Sequence, residues 1–174
     1  MKIVDDKGAT LPNDGVAYGR LLVRGPWIIK KYFKSEESAV DADNWFDTGD
    51  ISSIDPDGYM AIVDREKDVI KSGGEWISSI DLENVIANHP DVLQTAVVGI
   101  PHPKWDERPL LFIVSNSGNE FDRSELDDLM LEKFEKWQLP DDVVFLKELP
   151  IGATGKVKKI DLRQEYTDHY MKEA

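Results

Sequence analysis

The 174 residues suffice for one ordinary domain, or for a small domain together with part of another. A net charge of −13 disfavours nucleic acid as a partner, because phosphates need clustered Lys and Arg, and the lack of cysteine excludes disulfides and thiolate chemistry and agrees with a cytoplasmic setting. Hydrophobic and charged shares of 41% and 32% are those of a soluble globular protein; no apolar run approaches the ~20 residues of a membrane span, and Met1–Asp6 carries no apolar signal-peptide core.

The first third reads as β-structure. Val16 to Val23 and Ile28 to Phe33 are short apolar stretches separated by the turn pair Gly25-Pro26. A hairpin follows, with Ile51 and Ile54 before the turn Asp55-Pro56-Asp57-Gly58 and Tyr59 to Val63 after it. At the charged run Arg65-Glu66-Lys67-Asp68 the character changes, which predicts a boundary between residues 1–65 and 66–174. Val69-Ile70 leads into the loop Ser72-Gly73-Gly74. Ser79 is the expected N-cap of a helix ending before His89-Pro90. Strands are expected at Val92 to Ile100, Leu110 to Val114 and Val143 to Leu146.

Between the last two strands, Asp122 and Glu125 have capping-box spacing. Leu126, Leu129, Met130, Phe134 and Trp137 then share one face of a helix predicted over 123–137. The acidic residues from Glu120 to Asp142 read as its solvated surface. A short helix from Ile160 towards Tyr170 closes the chain. The second part is therefore a small α+β domain, a three-stranded sheet with helices and a hinge hairpin.

Each candidate for chemistry also has a bland reading. Asp50, ending Trp45-Phe46-Asp47-Thr48-Gly49-Asp50, could accept two hydrogen bonds from a ribose diol; alone it reads as a turn residue. Arg65 could fork onto a ribose or phosphate oxygen, or simply pair with Asp64 or Glu66. Neither Ser72-Gly73-Gly74 nor Gly155-Lys156 completes a P-loop, since Pro150 stands where the leading glycine should be and Val157 where the hydroxyl should be. Lys156 could still deliver a positive charge to an oxyanion; the bland reading is an exposed turn. His89, His102 and His169 show no metal spacing, and the five tryptophans read as core or interface anchors.

Order and spacing together change the balance. Trp45 to Asp50 resembles the ribose-binding motif of the adenylate-forming superfamily, which comprises acyl-CoA and aryl-CoA synthetases, luciferases and peptide-synthetase adenylation domains. Arg65 to Glu75 resembles its hinge motif, and Leu149-Pro150 through Gly155-Lys156 its lysine motif. Val97 to Pro101, with Glu107-Arg108-Pro109, resembles a further family stretch, and Glu75-Trp76-Ile77-Ser78-Ser79 is similar to medium- or long-chain fatty-acid–CoA ligases.

The resemblance implies a layout and a reaction. Residues 1–65 would be the last β-barrel part of a large N-terminal adenylation domain, and 66–174 the small C-terminal lid. ATP and a carboxylic acid would form an acyl-adenylate with Mg2+, after which the lid rotates and CoA takes the acyl group. Asp50 and Arg65 would hold the nucleotide ribose, Lys67 would be the hinge, Gly73 and Gly74 would line the pantetheine tunnel, and Lys156 would drive adenylation. One departure is Asp64, where a glycine often precedes the motif's Arg. The phosphate loop, adenine segment and acyl pocket are expected upstream of Met1, so the chain alone is expected neither to turn over nor to hold ATP, CoA or Mg2+ tightly. Self-association through an exposed barrel surface is a further expectation. The alternatives are a free-standing module that binds CoA or a partner without catalysis, and acyl transfer to a carrier protein.

Overall fold

A computed structural model describes residues 1–173 and divides them into two compact units, Met1–Lys67 and a second beginning at Asp68. The first unit holds a four-stranded antiparallel sheet in chain order: β1 (Lys2–Val4), β2 (Tyr18–Val23), β3 (Phe46–Ile54) and β4 (Met60–Arg65). The Asp55–Gly58 turn sets the β3–β4 register, with Asp55 Oδ1 accepting from Tyr59 N at 2.8 Å. Ile54 then faces Met60, and a bulge at Val63 brings Ile51 opposite Asp64 and Asp50 opposite Arg65. Ile3, Leu21 and Ile54 form the small core.

The strand expected at Ile28 to Phe33 does not form. That stretch is bends and turns, starting with Ile28 N donating to Gly25 O at 3.2 Å, and it finds no strand to pair with. Trp27 and Phe33 are left 93% and 91% exposed, so their apolar character marks surface rather than a strand.

The second unit is built on a five-stranded sheet: β5 (Ile70–Ser72), β6 (Glu75–Ile77), β7 (Val92–His102), β8 (Asp106–Ser115) and β9 (Asp142–Phe145). The α+β class holds, but the sheet has five strands rather than three because the β5–β6 hairpin joins it. β7 lines one edge of β8 from Val92↔Ser115 to His102↔Asp106. Two short strands divide β8's other edge. β5 touches it antiparallel at Ser72↔Asp106, and β9 runs parallel to it from Leu110↔Asp142 to Ile113↔Phe145.

Both faces of this sheet are covered, which is why β7 and β8 read as continuous apolar runs. Alternate residues divide between two cores. Val97, Leu111 and Ile113 pack with α1 (Ser79–Ile86) and α2 (Arg123–Leu131). Val98, Leu110 and Phe112 pack with Leu162 of α3 (Lys159–Glu165) and with Tyr170.

Ser78, one residue before the expected position, caps α1 by accepting from Asp81 N at 3.1 Å. Asp122 caps α2 through Ser124 N at 2.9 Å. The helix stops at Leu131 rather than Trp137. Lys133 N and Phe134 N both bond to Met130 O, and Glu135 turns extended to cap a single 3-10 turn at Lys136–Gln138. Trp137 thus leaves the helical face.

Candidate functional site

In the first unit, strand register puts Asp50 and Arg65 side by side, with Arg65 Nε 3.0 Å from Asp50 Oδ1. The approach to Asp50 is shaped by its own motif. Asp47 Oδ1 accepts from Gly49 N at 3.0 Å. Thr48 Oγ1 accepts from Asp50 N at 3.1 Å and donates to Leu21 O at 3.1 Å. Asp50 is half-buried and Arg65 more than half exposed. An ion pair so open to water adds at most about 1 kcal/mol, so the arrangement positions groups more than it stabilises the fold. It offers a carboxylate acceptor beside guanidinium donors, the combination a vicinal diol can bridge. Lys67 lies exposed in the turn that follows, immediately before the boundary between the units.

In the second unit, Gly73 and Gly74 form the tip of the β5–β6 hairpin at φ +62° and +90°, conformations that disfavour side chains. A Cβ on Gly73 would lie 3.1 Å from Trp105 Cε3, whereas one on Gly74 would meet open space. Gly73 N donates to Trp105 O at 2.8 Å. Beside this tip opens a cleft of about 370 Å³, lined by Ser72, Gly73, Glu75, Trp105, Arg108, Trp137 and Asp141. Trp105 and Trp137 are partly exposed cleft walls, so of the two places expected of the tryptophans, core or interface, these two do not take the core one. The floor is the buried Arg108 guanidinium, gripped by Asp141 through Nε–Oδ2 at 2.7 Å and a second bond at 2.6 Å.

Lys156 stands elsewhere in this unit, on a tight loop that is its own support. Gly152 N donates to Lys156 O at 2.8 Å, Gly155 N to Gly152 O at 2.9 Å and Lys158 N to Pro150 O at 2.8 Å, around an Ile151↔Val157 bridge. Gly155 takes φ +78°. The Lys156 side chain is exposed, and the loop takes no part in lining the Gly73 cleft.

Of the residues expected at a site, the structure pairs Asp50 with Arg65 directly and sets Gly73 in the cleft lining, while Lys156 stands on a separate loop of the second unit. Arg108, Asp141, Trp105 and Trp137, which line the cleft, were not among the site residues expected from the sequence. The histidines take structural places: His89 stacks on Phe121 at 4.5 Å, and His169 Nε2 meets Asp142 Oδ2 at 2.8 Å. Tyr170, whose hydroxyl donates to Pro109 O at 2.8 Å, has its pKa raised above 10 by burial and by the charges of Asp141 and Asp142. Among the described residues no group of three or more His, Asp or Glu could hold a metal, and no helix is long and apolar enough to cross a membrane.

Residues 81–156 match the family described as the AMP-binding enzyme C-terminal domain. The chain belongs to the adenylate-forming superfamily. It is 54% identical over 168 residues to the 3-methylmercaptopropionyl-CoA ligase of Ruegeria pomeroyi, covering 97% of this chain and 31% of that protein. Against the long-chain-fatty-acid–CoA ligase of Thermus thermophilus it is 48% identical over 174 residues, covering 98% of this chain and 32% of that one. ATP-bound MatB of Rhodopseudomonas palustris superposes with a TM-score of 0.83 at 31% identity, covering 97% of this chain and 34% of that chain. The chain therefore spans about a third of the length of these adenylate-forming relatives, in the region of their C-terminal domain.

Proposed function

We propose that this chain serves an acyl-CoA synthetase, which joins a carboxylic acid to CoA through an acyl-adenylate at the expense of ATP. The observation that carries the reading is Asp50 meeting Arg65 at 3.0 Å on facing strands, immediately before a unit boundary at Lys67. In this reading residues 1–65 end the large adenylation domain, and 66–174 form the lid. Asp50 accepts from the ribose hydroxyls while Arg65 supports it, and Lys67 absorbs the backbone rotation between half-reactions. Magnesium accompanies ATP, with no residue of this chain assigned to it.

Lys156 supplies the charge for the first half-reaction. Its ammonium group would stabilise the oxyanions that develop as carboxylate attacks the α-phosphate, and the exposed loop leaves it unencumbered for that purpose. The second half-reaction belongs to the other glycine turn. Gly73 and Gly74 keep Cβ atoms out of the pantetheine path, and the adjoining cleft has two tryptophan walls suited to stacking a purine. An aliphatic acid of medium or long chain is the substrate class favoured by the Glu75–Ser79 run and by the fatty-acid ligase among the relatives. The reaction would take place in the cytoplasm.

The test is acid-dependent ATP–pyrophosphate exchange by the full-length enzyme, followed by thioester formation on CoA. Exchange and CoA thioester formation with a panel of fatty acids are expected; no exchange with any carboxylic acid would overturn the reading, and transfer only to a carrier protein would replace CoA as acceptor.

One observation favours a second reading, a CoA-binding module without catalysis: the tryptophan-walled cleft is formed wholly by residues of the second unit. Saturable CoA binding by the 174-residue chain, with no exchange activity in the full-length protein, would select it.

A further inference from the structure

β8 carries two partners on one edge, and the junction between them needs closing. β5 pairs at Asp106 and β9 begins opposite Leu110, so residues 107–109 face the gap. Pro109 stands there, where a residue without an N–H is tolerated, and Arg108 precedes it. The guanidinium has five N–H donors, and five acceptors meet them. Nε and one terminal nitrogen hold Asp141 at 2.7 and 2.6 Å. The other terminal nitrogen reaches Ser72 Oγ at 3.0 Å and Trp137 O at 2.7 Å, and the last donor goes to Leu139 O at 3.0 Å. One buried side chain thus ties the hairpin bearing Gly73 to the segment bearing Trp137, the two walls of the cleft.

Stability alone gives little reason for the pair, since the Asp141 carboxylate is 38% exposed and a water-screened ion pair adds little. An apolar residue could not hold acceptors from both walls at fixed spacing. We propose that Arg108 is a positioning residue that sets the width of the Gly73–Trp105–Trp137 cleft, and so governs CoA use without touching the adenylation chemistry. This rests on the acyl-CoA synthetase reading above.

The experiment compares wild type, Arg108→Lys and Ser72→Ala in the full-length enzyme, measuring acid-dependent ATP–pyrophosphate exchange and the KM for CoA in thioester formation. Lysine keeps the charge but has no fork to span both walls, so Arg108→Lys should raise KM for CoA by roughly tenfold or more, with exchange unchanged. Ser72→Ala removes only the hairpin arm with little change of volume, which guards against a misfolded Arg108 variant; it should raise KM by roughly threefold. An unchanged CoA KM in Ser72→Ala and in a folded Arg108→Lys would overturn the proposal, as would parallel loss of both half-reactions. A wild-type enzyme that exchanges pyrophosphate yet forms no CoA thioester would remove the functional reading and this inference together, which separates that failure from one seen only in the variants.

Discussion

Two glycine turns of the second unit are built by opposite means. The turn at Gly73 is gripped from outside: Trp105 O takes its N–H, Glu107 Oε2 takes the N–H of Lys71 at 3.0 Å, and Arg108 holds Ser72. The loop before Lys156 is held from within, by three short-range backbone bonds and one bridge. A clamped turn makes a wall of fixed position. A self-closed loop makes a platform whose charged side chain stays exposed, and the proposed function assigns the two turns to different half-reactions, CoA passage and adenylation.

The largest expected effect tests the platform. Lys156→Ala in the full-length enzyme should lower ATP–pyrophosphate exchange by roughly 10²–10³-fold while thioester formation from supplied acyl-adenylate persists. Equal loss of both would erase the division between the turns. Next comes Lys67→Pro, which restricts φ at the unit boundary. Exchange should survive while overall turnover falls at least roughly tenfold, as befits an enzyme held in its first conformation; normal turnover would free Lys67 of the hinge role.

A matched pair of glycine substitutions sharpens the contrast. Gly73→Ala and Gly155→Ala should each cost about 1–2 kcal/mol in denaturant unfolding, because both residues have positive φ. Only Gly73→Ala also presses on a neighbour, Trp105, so only it should raise the KM for CoA in addition. Similar CoA kinetics in the two variants would argue against a clamped wall.

The smallest effect concerns the base beneath the Lys156 loop, where Leu149, Leu162 and Tyr170 pack together. Losing the Tyr170 bond to Pro109 should make Tyr170→Phe about 1 kcal/mol less stable than wild type at neutral pH. Its raised folded-state pKa means that the neutral phenol is the favoured form. The wild-type advantage is therefore full below pH 10 and fades as pH rises above it. Chemical denaturation at pH 7 and at pH 10.5 checks this, and a gap that widened with pH would contradict it.

Local signals carried much of this architecture in the sequence. Asp55-Pro56-Asp57-Gly58 dictated a hairpin, and the hairpin brought Asp50 to Arg65, apart from the bulge at Val63 that tunes the register. The apolar runs of β7 and β8 were equally legible. The grip of Arg108 was not, since its acceptors lie 29 to 36 residues away and three of its five bonds involve no acidic side chain. The periodicity through Phe134 and Trp137 extended α2 too far because a pattern of apolar residues does not register Glu135 turning extended. The stretch from Ile28 to Phe33 misled for a related reason: apolar side chains do not show that a strand will cover them, and Phe33 stays 91% exposed.

The shared edge of β8 also has a consequence for how the molecule breathes. The β5–β6 hairpin meets the sheet through a single register pair to β8, the Gly73–Trp105 backbone bond and the buried Ile70 and Ile77, whereas β7 and β8 are laced along their whole length. Amide protons of the hairpin should accordingly exchange with solvent through a separate, lower-energy opening, while those of β7–β8 wait for global unfolding. The part of the fold proposed to receive CoA would then also be the part most readily prised from the sheet.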